Sequence, residues 1–472
     1  MLFNSPEFLI FGTLFFALWP IMRRGDNRRW VFITLMSLFF YGWWDWRYTF
    51  LFVATGLIDF FAGYGMVRWP SRRKLLLVTS LTANIGMLGF FKYLDFGLRN
   101  ATTVLHWFGM EAHLPALRLI LPVGISFYTF QSMSYTIDIY RGRLQPTRSV
   151  LHFFTSLSMF PHLVAGPIMR AADLQPQLVG TPRTTDEQKW DGTRLIVEGF
   201  FKKVVIADNL APVVNRAFTA PTPLSHGPFW WVIMVMFAFQ IYCDFSGYSD
   251  IARGLAKWMG YEFNLNFDHP YISASASEFW RRWHISLSSW FRDYVYIPLG
   301  GSRAGSWKES RNLWITMLVS GLWHGANWTF ITWGALHALY LSIEKWTNWP
   351  ARLAKLPGGR FASQVIVFLL VVIAWVFFRA DTFSQAIRII GIMLDVRRFH
   401  FDMPIEELDK NALVFLVLIA LRQLWVALAP QRARLAPRLP SLAVLEPAVF
   451  VALILGAVYL RGPGSAFIYF QF

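Results

Sequence analysis

The stretch that decides the fold is residues 312–343, which read NLWITMLVSGLWHGANWTFITWGALHALYLSI without any Asp, Glu, Lys or Arg. A straight helix of these 32 residues would span ~48 Å at ~1.5 Å per residue, more than the ~30 Å of a bilayer core requires. Gly321 and Gly325 flank His324 in the middle of the stretch, and Asn327 follows three residues after the histidine. Because glycine permits a helix break or a close backbone approach, we predict two helices joined by a break. We expect His324 near mid-membrane, facing a cavity and not lipid.

The composition is typical of a membrane protein. Of the 472 residues, 55% are hydrophobic and 15% are charged, whereas soluble proteins carry about 25% charged residues. Further uncharged runs cover residues 75–91, 119–137, 149–169, 217–243 and 361–378. We therefore predict an all-α polytopic membrane protein with roughly ten to thirteen membrane helices, plus re-entrant and interfacial helices. No internal repeat or long low-complexity linker is visible, so we expect residues 1–472 to form one integral-membrane domain.

Cysteine usage and net charge exclude several classes of protein. The single cysteine, Cys243, excludes a disulfide scaffold and a cysteine-based zinc site. The 44 Lys and Arg outnumber the 28 Asp and Glu, which gives a formal net charge of +16. In a soluble protein this excess would suggest nucleic acid, but cytoplasmic loops of membrane proteins also collect arginine, and we find no nucleic-acid motif. We expect no nucleic-acid partner.

Loop charges predict the orientation in the membrane. Basic loops alternate with nearly neutral loops, and the basic ones contain Arg23, Arg24, Arg28 and Arg29, then Arg68, Arg72, Arg73 and Lys74, then Arg141, Arg143 and Arg148. Because positively charged loops stay in the cytoplasm, this alternation predicts five regular crossings and an N-terminus outside the cytoplasm. Residues 8–22 lack the basic start and the cleavage site of a signal peptide, so we interpret them as the first membrane helix.

Three further segments are predicted to depart from straight membrane helices. Residues 149–169 contain two prolines and a glycine, so a re-entrant segment and a full crossing are both open. Thr184 and Glu187 resemble a capping box before a helix that is either interfacial or a simple connection. Residues 243–250, CDFSGYSD, are predicted to form a polar helix break.

A second polar constellation is residues 278–301, EFWRRWHISLSSWFRDYVYIPLGG. Arginine, histidine and aromatic residues alternate here too densely for a helix that faces lipid. Planar guanidinium groups suit phosphate recognition, so we expect Arg281 and Arg282 to contact a phosphate-bearing substrate that enters from the cytoplasm. The alternative is an ordinary positively charged cytoplasmic loop.

Two histidines without a good nucleophile fit acyl transfer from a thioester to a hydroxyl. A neutral imidazole can remove the hydroxyl proton, which contributes ~10²–10⁴-fold to the rate, while a second polar group holds the carbonyl oxygen as it becomes anionic. A catalytic metal is a weaker alternative because no carboxylate pair lies near His284 and His324 in sequence. Cys243 as an acyl carrier is a further alternative. His337 lies roughly 220° around a continuous helix from His324, so we interpret it as a packing residue.

At these residues the sequence resembles the membrane-bound O-acyltransferase family, and within it the bacterial alginate O-acetylase branch. Residues 278–301 with His284 and the Trp323-His324-Gly325 element carry the resemblance. Other matching pieces are residues 160–168 (FPHLVAGPI), 199–208 (GFFKKVVIAD), 244–250 and 377–381 (FFRAD). Each piece is weak singly, but in this order, from about residue 1 to residue 400, the combination is highly specific.

The resemblance implies a helical shell around a central tunnel, with His324 as the principal catalytic residue. His284 would be the second histidine, toward the cytoplasmic entrance, and substrate contacts are expected from Trp323, Asn327, Arg281 and Arg282. No metal and no bound cofactor are expected. It also implies an enzyme of the bacterial inner membrane that moves acetyl from a cytoplasmic donor such as acetyl-CoA to an extracytoplasmic acceptor. That acceptor is a periplasmic partner protein or an exopolysaccharide such as alginate or cellulose, and membrane lipids surround the protein.

Two other functions stay open from the sequence. The nearer one is transfer of D-alanine from a carrier-protein thioester to teichoic acids. The more distant one is a transporter for a glycan or lipid, because broken helices and midplane polar residues also mark transporters. A transporter would be expected to show inverted repeats, and we find none.

Overall fold

The computed structural model describes residues 1–468 apart from 112–113, 116, 118, 221–223, 304, 400–407 and 429–445. The described part is built from helices joined by short connections and contains no strand. The predicted all-α class is therefore confirmed. The chain divides into two compact units, one of residues 1–193 and 251–264, the other of residues 194–250 and 265–472. The expectation of a single domain over residues 1–472 stays a prediction.

The helices up to residue 200 lie mostly in the first unit. They are α1 Pro6–Met22, α2 Asp26–Gly42, α3 Arg47–Arg68, α4 Arg73–Leu88, α5 Leu94–Trp107, α6 Ile125–Tyr140, α7 Val150–Ser158, α8 Phe160–Leu163, α9 Ala171–Leu174 and α10 Asp186–Phe200.

The remaining helices lie mostly in the second unit, which holds the residues of both predicted histidine motifs. They are α11 Asp208–Thr219, α12 Gly227–Met259, α13 Ala276–Arg282, α14 Ile285–Phe291, α15 Ser306–His324, α16 Trp328–Thr347, α17 Trp349–Leu353, α18 Gly359–Arg379, α19 Phe383–Leu394, α20 Lys410–Ala427 and α21 Glu446–Tyr459.

Five helical segments of the described chain are long and apolar enough to cross a membrane. They are Arg47–Arg68, Pro70–Trp107, Gly227–Met259, Gly359–Arg379 and Lys410–Ala427. Shorter apolar helices are Pro6–Met22, Phe383–Leu394 and Glu446–Tyr459. These lengths fit a multi-pass membrane protein. The count of roughly ten to thirteen membrane helices stays a prediction.

Residues 149–169 form two short helices instead of a single crossing. α7 has nine residues, which at ~1.5 Å per residue cannot cross a bilayer core, and α8 has four. The backbone turns at Met159, whose ψ is 114°, and nearly every residue from 152 to 169 is buried. Irregular backbone is tolerated at membrane depth only where protein surrounds it, so the full-crossing alternative has no support.

The capping box before α10 lies one residue later than predicted. The backbone N–H of Gln188 donates to Oγ1 of Thr185 (3.1 Å), and the backbone N–H of Thr185 donates to Oε1 of Gln188 (3.0 Å). The assignment to Thr184 and Glu187 was therefore wrong, although both pairs fit the same sequence pattern. The helix start that the predicted capping box would mark is nevertheless present.

Residues 243–250 do not interrupt their helix, contrary to prediction. α12 runs without a break from Gly227 to Met259. Its two aspartates are neutralised by a buried turn of π-helix, Phe201–Ala207: Lys203 Nζ lies 2.7 Å from Asp244 Oδ1, and Lys202 Nζ lies 2.5 Å from Asp250 Oδ2. Since the compensation comes from another element, the helix has no reason to break. Both lysines are buried, unlike the basic residues of an interfacial helix, which face water.

Candidate active site

His324 lies at a helix break, as predicted. It is the last residue of α15, and Gly325 after it is extended, with φ −164° and ψ 151°. Asn327 then starts α16: its side-chain Oδ1 accepts the backbone N–H of Thr329 at 3.1 Å. This contact satisfies one of the free N–H groups at the start of a helix. The break therefore ends one helix on the histidine and starts the next on a polar cap.

Glycines let α15 and α16 pack against each other at backbone distance. A Cβ built on Gly321 would overlap the carbonyl oxygen of Phe330, and one built on Gly334 would overlap the carbonyl oxygen of Met317. A Cβ on Gly325 would overlap the ring of Phe330. The two helices thus form a tight hairpin in which a side chain larger than hydrogen does not fit at these positions.

The His324 ring sits among aromatic side chains and is 4% exposed. Ring centroids lie 4.9 Å away for Trp323, 5.0 Å for Trp333 and 5.2 Å for Phe378, all in edge contacts. These aromatic rings surround the imidazole with low-dielectric material, which strengthens electrostatic interactions inside the site. Cavity access to the ring and the predicted tunnel stay predictions.

His284 occupies a tight turn between α13 and α14. Its φ is +42°, in the left-handed region, and its side chain is completely buried. The ring contacts Phe245 at 4.6 Å and Trp323 at 6.2 Å between centroids. Burial lowers the pKa of His284 to about 3, because a charged imidazolium would lose its hydration there. The ring is therefore neutral at physiological pH.

Trp323 connects the two predicted histidines. Its indole contacts His284, in the turn before α14, and His324, its neighbour on α15. The two residues are 40 positions apart in sequence and were predicted from separate motifs. The fold brings both imidazoles to one tryptophan, which was itself predicted as a substrate contact.

Sequence reasoning missed Asn266, which holds His284 in place. The two side chains meet with Nδ1 of His284 3.1 Å from Oδ1 of Asn266, and both residues are completely buried. No motif spacing links position 266 to position 284. The local signal is an asparagine between the apolar residues Leu265 and Phe267, and only the tertiary structure gives it a meaning.

His337 lies closer to His324 than the sequence suggested. The rotation of roughly 220° assumed one continuous helix, whereas the break puts His324 and His337 on separate helices of the hairpin. Both imidazoles contact Trp333, at 5.0 Å and 4.7 Å between centroids. His337 also stacks on Phe279 at 5.9 Å. These aromatic contacts agree with its interpretation as a packing residue, although the helical-wheel reason was wrong.

The predicted polar substrate contacts occupy different environments. Arg281 is exposed, whereas Arg282 is ion-paired with Glu278 (3.0 Å) and Asp268 (3.3 Å). Asn327 uses its side-chain amide within the protein, since Oδ1 caps α16 and Nδ2 donates to the carbonyl oxygen of Asp381 at 3.0 Å. Arg281 is thus the most available of the three, and the substrate contacts themselves stay predictions.

The alternatives to histidine chemistry gain no support from the described residues. No group of three His, Cys, Asp or Glu side chains among them could hold a metal ion. Asp244 and Asp250, the acidic residues of α12, are paired with lysines. Cys243 is completely buried inside α12.

Comparison with known proteins decides the family. The sequence profile of the membrane-bound O-acyltransferase family matches residues 14–381. The chain belongs to this family. It is therefore a multi-pass membrane enzyme that transfers acyl groups, and the resemblance found in the sequence is confirmed. The transporter alternative consequently loses its basis.

Relatives of known description include several polysaccharide-modifying enzymes. A probable alginate O-acetylase of Pseudomonas putida is 40% identical over 436 residues, covering 91% of this chain and 87% of the relative. A peptidoglycan O-acetyltransferase of Helicobacter pylori is 33% identical over 452 residues, covering 88% and 83%. A teichoic acid D-alanyltransferase of Streptococcus thermophilus is 30% identical, but over 235 residues that cover 47% and 56%.

Proposed function

We propose that this enzyme moves an acetyl group from a cytoplasmic thioester donor, acetyl-CoA, across the inner membrane for O-acetylation of an exopolysaccharide such as alginate or cellulose. Support comes from the alginate and peptidoglycan acetylating relatives, which match most of the chain. The alternating basic loops support an N-terminus outside the cytoplasm. The immediate acceptor is either the glycan or a periplasmic partner protein that passes the acetyl group on.

The observation that carries the proposal is the convergence of His284 and His324 on Trp323. Acyl transfer needs a base for the hydroxyl and a donor for the carbonyl oxygen within one small volume. Two imidazoles and an indole N–H supply acceptors and a donor without a protein nucleophile. Nothing in this set requires a covalent acyl-enzyme.

The reaction can be written with these residues in fixed roles. His324 accepts the proton of the acceptor hydroxyl while its oxygen attacks the thioester carbonyl, which forms a C–O bond and an anionic tetrahedral intermediate. The indole N–H of Trp323 is the proposed hydrogen-bond donor to that oxyanion. The C–S bond then breaks, and the thiolate takes the proton from the His324 imidazolium to leave as the free thiol. The products are an ester and CoA, and the imidazole is again neutral.

Arg281 is the proposed contact for the phosphates of the donor. It is exposed, and its planar guanidinium suits phosphate oxygens. The side chains of Arg282 and Asn327 are already engaged in ion pairs and in helix capping. Their proposed role is therefore to stabilise the site.

Mass analysis of the glycan tests the proposed acyl group. Cells that carry the wild-type gene should produce glycan with acetyl esters, and cells without the gene or with His324→Gln should not. D-alanyl esters on the glycan would instead support the activity of the Streptococcus relative. Acetylation that does not depend on the gene would contradict the proposal. Purified enzyme in liposomes with labelled acetyl-CoA would test the donor separately.

A further inference from the structure

The side chain of Asn266 receives an unusual concentration of hydrogen bonds. Its Oδ1 lies 3.1 Å from Nδ1 of His284, 3.3 Å from the backbone N of Ser286 and 2.9 Å from Oγ of Ser286. Its backbone carbonyl also accepts the N–H of Ile285 at 2.9 Å. One buried asparagine thus forms hydrogen bonds with the side chain of His284 and with the first backbone N–H groups of α14.

The contacts settle which end of the Asn266 amide faces His284. The backbone N–H of Ser286 can only donate, so the atom opposite it must be the amide oxygen and not the nitrogen. At the other end, Nδ2 of Asn266 donates to Oγ of Ser249 at 3.1 Å, an atom that can accept. A flipped amide would place two donors against each other at Ser286.

This orientation determines the tautomer of the imidazole. An oxygen faces Nδ1 of His284, so Nδ1 must carry the ring proton, since two lone pairs would otherwise oppose each other at 3.1 Å. In a neutral ring the remaining nitrogen, Nε2, then carries the lone pair. Among the described residues, Phe245, Phe267 and Trp323 place rings against His284, and none of these three side chains titrates.

The backbone of His284 adds a second, independent sign that its orientation is constrained. Its φ of +42° is uncommon for a residue other than glycine and costs free energy unless neighbouring contacts hold it. The contacts from Asn266 to Ile285 and Ser286 fix the turn that contains this strained residue. The turn and the ring are therefore held by the same residue, through its backbone carbonyl and its side chain.

We propose that Asn266 is a positioning residue that holds His284 as the Nδ1–H tautomer, so that Nε2 accepts a hydrogen bond from an N–H or O–H group of a substrate. His284 is then not a donor to the oxyanion, and this function falls to another group. The inference rests on the proposed role of His284 at the acyl-transfer site. It assigns His284 substrate orientation and leaves the proton transfer to His324.

Solid-state ¹⁵N NMR on histidine-labelled protein in lipid tests the tautomer without any activity assay. The His284 resonances are those that disappear in His284→Gln. Wild-type protein should show a protonated Nδ1 and an unprotonated Nε2. A protonated Nε2 in the wild type would overturn the proposal, and this measurement needs no variant of Asn266.

Asn266→Asp tests the positioning role itself. The change keeps the accepting oxygen and the shape but adds a negative charge, which raises the pKa of His284 by favouring the imidazolium. Both ring nitrogens should then be protonated near neutral pH. Transfer should fall about tenfold for each pH unit below the raised pKa and recover above it. Unchanged His284 signals in folded Asn266→Asp protein would contradict the proposal.

Asn312→Asp is the matched control. Asn312 is also completely buried, and its side-chain amide is engaged elsewhere: Oδ1 accepts from Arg311, and Nδ2 donates to the carbonyl oxygen of Gly301. It should leave the His284 signals and the pH profile unchanged. If the tautomer is as expected but liposomes show no acetyl transfer from acetyl-CoA, the proposed function fails while the role of Asn266 stands.

Discussion

Two polar interruptions of apolar sequence, residues 243–250 and residues 321–327, behave in opposite ways. The first carries two aspartates, yet α12 passes through it unbroken. The second carries no charge, yet α15 ends there and α16 begins. Polarity of the side chains therefore does not decide where a helix breaks.

The two segments differ in whether their charges are paired by another element and in whether their backbone can end one helix and start the next. At residues 243–250 the charges are matched by Lys202 and Lys203, and Gly247 allows close packing, since a Cβ there would lie 2.7 Å from the carbonyl oxygen of Gly199. At residues 321–327 an extended glycine and a capping asparagine give the backbone a way to stop and restart. The uncharged segment is the one that places a histidine at a helix end.

The largest effect is expected from Lys203→Met at the unbroken helix. Lys203 neutralises Asp244 and Asp208 at 2.7 Å and 2.9 Å, and removing one partner of a buried ion pair costs about 3–5 kcal/mol. Chemical unfolding in detergent measures the loss. The control, Lys257→Met, removes the half-exposed pair with Glu262 and should cost at most about 1 kcal/mol. Equal losses would refute the charge-compensation account of α12.

A smaller loss is expected from Gly321→Ala in the hairpin. The added methyl group overlaps the carbonyl oxygen of Phe330, so the helices must separate, at about 1–3 kcal/mol. Gly86→Ala in α4 is the control, because no atom lies within 4 Å of its Cβ position. There alanine should stabilise by about 0.5–1 kcal/mol. A neutral Gly321→Ala in the same unfolding assay would mean that the hairpin is looser than described.

Asn327→Ala tests whether the cap maintains the break. Loss of the capping oxygen is expected to cost about 1 kcal/mol, and Asn327→Ser should restore most of it. Steady-state kinetics on both variants separates capping from substrate binding. If KM for the donor rises equally in the alanine and the serine variants while stability differs, Asn327 binds substrate directly.

The smallest effect is expected from Arg281→Gln. One exposed charge contributes up to about 1 kcal/mol, so KM for acetyl-CoA should rise up to about fivefold with kcat unchanged. Arg303→Gln removes another exposed charge, two residues after the segment 278–301, and is the control. Equal changes in both variants would favour the alternative that the arginines only mark a cytoplasmic loop.

The sequence predicted the parts of the site that depend on local pattern. The break at His324 followed from an uncharged stretch too long for one helix, with glycines and an asparagine in the middle. The polar stretch 278–301 made His284 a candidate for acyl transfer, and the family resemblance made it the second histidine of the site. Its burial could not be predicted, because it depends on Phe245 and Trp323, which lie far from it in sequence. Asn266 could not be predicted because its partners are defined by tertiary contacts alone.

The errors have the same origin. The break predicted at residues 243–250 neglected lysines 40 or more positions away, and the separation of His337 from His324 assumed a helix that does not continue. Local periodicity describes one element at a time. Charge compensation and ring contacts between elements need the fold.

The central claim is that His324 accepts the proton during acyl transfer, and one measurement tests it most directly. Labelled acetyl transfer is measured in liposomes with the wild type, His324→Gln and His337→Gln, each at equal amounts of folded protein. Loss of ~10²–10⁴-fold in His324→Gln, with transfer retained in His337→Gln, is the predicted result. Wild-type transfer by His324→Gln would contradict the account.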